Sequence, residues 1–363
     1  MKGYLIYLIS LNILAFSLFF PKTTKATTNP LSQPNNKYGI HIISENDLES
    51  AEKLVNSSNG SWGYVTFVIR EDERDLARWT NVFQKLSELK LIPIVRLATT
   101  TQNLSWQKPN TSETKQWAKF LSQLPWPIQN RYIILFNEPN HAKEWGGDIN
   151  PTEYAHIARI YWEELKKASF DFFVLPAGFD LSATNSKDTL SAESYWQQMF
   201  LADELIFTIF DGWNSHSYPN PNFCGNPKDT GRSSLTGYLW ETNILENQYF
   251  LLPNTPLFIT ETGWGCDINP NVYQEAFETI WVQPNIVAVT PFILNYEHFP
   301  FNHFSWLKNN ETTPTYTLVQ SLAKIKGEPI LSKSQQPLPQ FISSDFPKLL
   351  LDYKTWLSPN VSL

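Results

Sequence analysis

The chain has 363 residues, enough for one large domain or two ordinary ones. Its 42% hydrophobic and 17% charged content excludes intrinsic disorder, which needs fewer apolar and more charged residues. A formal charge of −7 argues against nucleic acid or an anionic lipid surface as the main partner.

In chain order, the first feature is a run from Gly3 to Phe20 (GYLIYLISLNILAFSLFF) without a charge. It falls between a secretory apolar segment of about 7–15 residues and the roughly 20 that span a bilayer. Residues 1–20 are therefore expected to be a signal peptide or membrane anchor that contacts the membrane or export machinery. Either places the rest of the chain outside the cytoplasm, in the extracellular space or at the cell surface. The Thr/Pro/Asn-rich residues 21–36 read as a linker.

From Lys37, short apolar runs alternate with longer amphipathic ones, the pattern of strand–helix units around a parallel sheet. Strands are expected at Tyr38–Ile42, Tyr64–Arg70, Ile92–Ala98, Tyr132–Asn137, Phe173–Phe179, Ile209–Tyr218, Pro256–Trp264 and Val287–Tyr296. Helical spacing occupies Asn46–Asn56, Asp72–Lys90, Ser112–Leu124, Pro151–Ala168, Ala192–Glu204, Ser233–Asn247, Asn271–Val282 and Thr315–Ile325. Asn150-Pro151 and Asn269-Pro270 supply helix starts. Eight of each, with none left over, predicts an α/β chain folded as a (β/α)8 TIM barrel over residues 37–327. An open doubly wound sheet would want a Gly-rich phosphate turn after strand one, and Gly39-Ile40-His41-Ile42 is not one. Residues 328–363 lose the pattern and read as a short C-terminal extension.

Barrel enzymes carry their chemistry where the strands end at the C-terminal face. Strand two ends in Arg70 and strand three carries Arg96 in IVRLA. Strand four ends Phe136-Asn137-Glu138-Pro139, strand six ends Trp213-Asn214-Ser215-His216-Ser217-Tyr218, and strand seven ends Thr260-Glu261-Thr262-Gly263-Trp264. Two glutamates thus stand where apolar strands stop, and a buried carboxylate is costly unless paired or used. Carboxylates facing each other across a barrel mouth suit glycosidic-bond cleavage, one protonating the leaving oxygen while the other attacks the anomeric carbon or activates water.

These strand-four and strand-seven segments resemble the signatures of clan A glycoside hydrolases, which include the cellulase-like family 5 and the xylosidase-like family 39. The resemblance runs through Lys37 to Ile325 in motif order and spacing. It implies that Glu138 is the general acid/base, Glu261 the nucleophile and Asn137 the residue that binds the sugar 2-hydroxyl. It further implies that His216 and Tyr218 contact sugar and nucleophile, and that Arg96 or Arg70 keeps the nucleophile ionised. The implied activity is a retaining glycosidase acting on β-linked carbohydrate, with no cofactor. The clan's platform tryptophan at the end of strand eight is replaced here by Leu294-Asn295-Tyr296, and Trp306 is the expected substitute.

The 14 Trp, 15 Tyr and 24 Phe mostly fill the core, leaving some rings to stack on sugar faces. Trp264 and Trp306 are expected as such platforms, and Trp79, Trp117 and Trp162, at helical spacing, as core. His41 reads equally as core or site; Glu144, Trp145 and Asp148 read as cleft-lining or solvated. His298 and His303 lack a third ligand at metal spacing. Cys224 and Cys266, on the loops after strands six and seven, are expected to form one disulfide. Two other readings share these residues: an exported carbohydrate-binding or polysaccharide-assembly protein with an inactive barrel, and a transglycosylase.

Overall fold

The computed structural model describes residues 27–102 and 105–333; the expected leader, residues 21–26 and residues 334–363 lie outside the described residues. Along the chain run β1 (Gly39–His41), α1 (Leu48–Val55), β2 (Gly63–Arg70), α2 (Leu76–Glu88), β3 (Leu91–Ala98), α3 (Thr114–Gln123), β4 (Arg131–Leu135) and α4 (Pro151–Ala168). There follow β5 (Phe172–Pro176), α5 (Ala192–Ala202), β6 (Trp213–His216), α6 (Gly237–Gln248), β7 (Leu257–Glu261), α7 (Asn271–Glu275, continued by a π turn over Ala276–Ile280), β8 (Ile286–Val289) and α8 (Pro314–Ser321). Among the described residues, no helix is long and apolar enough to cross a membrane.

Local chemistry accounts for these elements. The Asn150 side chain accepts from the Glu153 N–H with Pro151 at the first helical position, so α4 starts where the sequence places it. On α2, Trp79, Val82, Phe83 and Leu86 recur at helical spacing and are buried. The strands follow a two-residue period. Tyr64, Ile92, Ile94, Tyr132, Ile134, Phe173, Leu175 and Phe258 form one inner cluster, while Val65, Phe67, Ile133, Leu135, Val174 and Ile259 pack outward with the helices. Each such side chain contributes about 1.5–3 kcal/mol on burial.

The strands form two parallel sheets, β1-β2-β3-β4-β5 and β8-β7-β6. Single parallel bridges link them at both ends, Tyr38 with Val289 and Asp180 with His216. Two hairpins were not expected: Thr101–Gln102 with Ser105–Trp106, and Leu307–Lys308 with Glu311–Thr312. The second turns through Asn309-Asn310, both left-handed (φ 53° and 62°). Strand six is shorter than expected, because its pairing with β7 begins at Trp213 and ends at His216.

Residues on both sides of 37–327 pack against the strand starts. Asn35 accepts from the Tyr64 hydroxyl (2.6 Å) and donates to the Val287 carbonyl (2.7 Å), while Asn130 donates to the Thr28 carbonyl (2.9 Å). From Thr27 the expected linker is part of the body. It caps the N-terminal ends of the strands, where buried polar groups need partners. Residues 328–332 join it: Glu328 N–H donates to Pro34 and Gln129 N–H to Ile330, both at 2.8 Å.

Candidate active site

Regular alternation along β4 would continue inward from Tyr132 and Ile134 to Phe136. Instead Phe136 takes φ 72°, and its ring packs outward against Trp145 and Tyr161. The break turns Asn137 and Glu138 toward the mouth, and Glu138 is itself left-handed (φ 26°). Two L-residues in that region are strained, a cost that buried function commonly carries. On β7, Phe258 points inward and Ile259 outward. The register to β6 then slips: Ser215 pairs with Ile259, but His216 pairs with Glu261. This β-bulge re-aims the Glu261 carboxylate into the mouth. Both glutamates therefore reach the site through departures from strand regularity.

An oxygen of Glu138, an oxygen of Glu261 and a ring nitrogen of His216 lie within 4.8 Å of one another. His216 Nδ1 is 2.9 Å from Glu138 Oε1 and 3.8 Å from Glu261 Oε2. Arg96 stands on β3 above Ile94 in the inward row. Its Nη1 donates to Glu261 Oε1 (2.7 Å) and to Asn137 Oδ1. The Tyr218 hydroxyl donates to Glu261 Oε2 (3.2 Å). Gly178, just beyond β5, lies flat under the His216 ring; a Cβ there would be 2.1 Å from its Cδ2.

The charged groups of the site shift one another's titration. Burial alone would raise the Glu261 carboxyl, but the charges of His216 and Arg96 and the Tyr218 hydrogen bond outweigh it and hold it below the ordinary carboxylate value. For His216, burial pulls downward, and attraction to Glu261 and Glu138 overcomes it and raises the imidazole. Burial and the adjacent carboxylates push Tyr218 far up, so it remains a phenol donor. His41, wholly buried beside Phe292, is lowered to about 3 by desolvation and stays neutral.

Of the residues singled out from sequence, Glu138, Glu261, Asn137, Arg96, His216 and Tyr218 converge. Arg70 does not: it pairs with Asp72 (2.8 Å) and Glu73 (3.7 Å) at the surface. Trp264 and Trp306, expected as platforms, are both buried. Trp264 is 4% exposed, donating Nε1–H to the Gly225 carbonyl (2.9 Å), and Trp306 is 2% exposed. Both rings pack edge-on against Tyr273, because a strand-end tryptophan satisfies its N–H and apolar area just as well by turning into the core. The half-buried ring at the strand-eight end is Phe292, beside His41, Phe301 and Phe304. Sequence reasoning missed it because nothing separates it from the apolar run that precedes it.

Glu144 lines the site, its Oε2 accepting from Asn137 Nδ2 (3.2 Å); burial and then Glu138 raise its carboxyl. Trp145 is buried and bonded to Glu153, and Asp148 is an exposed partner of Lys108. Cys224 and Cys266 form a disulfide with Cα atoms 5.8 Å apart, tying the loop after β6 to the loop after β7. Glu138, His216 and Glu261 also offer a three-ligand set to a cation, but the guanidinium already bound to Glu261 opposes a second positive charge there.

No family model matches the chain, and no curated protein matches it. Solved structures do. A β-xylosidase from Caulobacter crescentus CB15 superposes with a TM-score of 0.55 at 11% identity, over 84% of this chain and 72% of that one. A glucosidase from Croceicoccus marinus gives 0.56 at 9% identity, over 83% and 71%. The catalytic domain of a mannanase from Streptomyces sp. SirexAA-E gives 0.51 at 12% identity, over 84% and 92%. At such identities the likeness is one of fold: the chain shares an α/β architecture on a parallel sheet with these glycosidase structures.

Proposed function

We propose that the chain is a retaining glycoside hydrolase that cleaves β-glycosidic bonds in an oligo- or polysaccharide by double displacement. In this reading the two sheets complete a (β/α)8 barrel over residues 37–327, flanked by the leader, the segment at 21–36 and the 328–363 extension. The observation that carries it is the approach of Glu138 and Glu261 oxygens to within 4.8 Å, from strand ends on the two different sheets. Retaining enzymes hold the pair about 5–5.5 Å apart, whereas inverting ones need about 6.5–9.5 Å to admit a water.

The residues then divide the work. Glu138 protonates the glycosidic oxygen as Glu261, kept ionised by Arg96 and Tyr218, attacks the anomeric carbon. The glycosyl ester neutralises Glu261, and Glu138, now a carboxylate, takes a proton from water as it attacks the same carbon. Asn137 faces the sugar 2-hydroxyl, His216 positions the acid/base, and Phe292 takes the platform role expected of Trp306. The Cys224–Cys266 bond suits an oxidising compartment, which supports export through the N-terminal segment.

The test is a panel of aryl β-glycosides and β-glycans. The reading predicts turnover of at least one, with the β-hemiacetal as first-formed product; α product first would exclude retention.

A further inference from the structure

Five large apolar side chains stand exposed at the end of the molecule where the strands begin, opposite the mouth. Phe170 precedes β5, Leu201 and Leu205 lie where α5 gives way to the loop before β6, and Phe250 and Leu252 precede β7; they are 48% to 75% exposed. The loops before β6 and β7 form one surface, because the Phe200 ring packs on Tyr249 and Phe250 (centroids 5.3 and 5.7 Å) and Phe207 on Tyr249 (5.4 Å). Single exposed apolar residues are ordinary, but a cluster of them marks a contact surface. Thr27 sits at its edge: its hydroxyl donates to Asp211 Oδ1 (2.7 Å) and lies 3.5 Å from the Phe170 carbonyl oxygen. Six residues separate Thr27 from Phe20, where the uncharged run ends.

We infer that this face is a lipid-docking surface: it lies on the bilayer that holds the run Gly3–Phe20, and the mouth points away from the membrane. The partner is the interfacial layer of a bilayer whose headgroups carry no net charge. Residues 249–256 contain no charged side chain; beside them Asp203 is paired with Arg159, and Asp211 with Lys166 (2.6 Å). A surface with so little free charge gains from apolar insertion at the headgroup–acyl boundary and gives salt little to screen. With Phe20 at the bilayer edge, the connection to Thr27 reaches about 25 Å at full extension, which keeps this end of the molecule close to the headgroups. The five residues of β7 set Glu261 about 17 Å farther out, so substrate reaches the two glutamates from the surrounding solution.

The experiment uses the full 363-residue chain, synthesised cell-free onto phosphatidylcholine vesicles, with a fluorescent label on Glu204→Cys at the patch or on Lys308→Cys in the hairpin beyond β8. Both positions are exposed. Nitroxide-bearing lipids are expected to quench the label at 204 and to leave the label at 308 bright, in low and high salt alike. Leu201→Gln, Leu205→Gln, Phe250→Gln and Leu252→Gln together should abolish that difference, the label at 204 becoming as bright as the one at 308 while the chain stays on the vesicles. Quenching at 308 alone, at both positions or at neither would overturn the inference; neither is the result if residues 334–363 or a second copy cover the patch. Quenching at 204 that survives the fourfold substitution would mean that the tether alone sets the orientation, and would overturn it equally. Quenching lost in high salt would overturn the apolar mode of contact. The two labels on the otherwise unchanged chain decide the orientation even where the fourfold variant does not fold. None of these outcomes touches the glycosidase reading, on which this inference does not rest.

Discussion

At the scale of single residues, the site rests on carboxylates given different surroundings. Glu261 is held below its ordinary pKa, so its ionised form favours the folded state. That contribution is present above the unfolded carboxylate range and is lost as pH falls through the lowered value. Glu241 on α6 is the opposite case. It is fully buried, with Trp213 and Ser215 alongside, and desolvation raises its carboxyl to about 8. Its folded pKa exceeds its unfolded one, so folding takes up a proton and stability declines as pH rises from about 4.5 to about 8. Glu241→Gln removes that titration. It should leave the melting temperature little changed near pH 5 and raise it above wild type at pH 9, where the buried charge costs the wild type on the order of a few kcal/mol. Parallel melting curves at both pH values would show that Glu241 carries no such burden. That Glu138, Glu261 and Arg96 would come together was legible in the sequence, because a charge that ends or interrupts an apolar strand must be paired or put to use. The direction of a ring was not: that Trp264 and Trp306 turn inward while Phe292 stays half-buried follows from χ angles and loop paths that the residue pattern does not encode.

At the scale of elements, the strand-helix order was legible because each helix carries a continuous apolar face and each strand a tight apolar run. What was hidden is where regularity fails. The left-handed Phe136 and the bulge opposite His216 aim the two glutamates, and neither has a residue signature. Gly178 is equally silent in sequence, yet it decides where the His216 ring lies. Gly178→Ala would set a methyl 2.1 Å from His216 Cδ2, so the ring must leave Glu138 Oε1. Activity should fall about 100-fold for a displacement near 1 Å. The stability loss should be about 1–3 kcal/mol, read from denaturant midpoints and from kcat on the best substrate. Wild-type kcat would mean that His216 is not a positioning residue. Between elements, the 224–266 disulfide closes a separation of 42 residues. The chain-entropy model gives it about 4 kcal/mol, so the Cys224→Ser, Cys266→Ser double variant should melt well below wild type under non-reducing conditions. Under reducing conditions the two should coincide.

At the scale of the whole molecule, two sheets, their bridging contacts and the capping segment from Thr27 hold the mouth in shape. A polar Thr/Pro/Asn run reads as linker from composition alone; it packs here because Tyr64 and Asn130, buried at the strand starts, take partners from it. A chain beginning at Thr27 should therefore melt cooperatively, and one beginning at Lys37 should lose about 2–4 kcal/mol for the hydrogen bonds made through Asn35 and Thr28. Identical melting would return residues 27–36 to the status of linker. The proposed catalysis stands on Glu138 and Glu261 acting in sequence on opposite faces of one sugar. With an activated aryl β-glycoside, Glu138→Ala should form the glycosyl ester and stall, and azide should release it as the β-glycosyl azide. Glu261→Ala cannot form the ester, and azide entering in the vacated space should give the α-glycosyl azide. Azides of opposite configuration from the two variants are the predicted result; the same anomer from both, or wild-type hydrolysis by either, would contradict it.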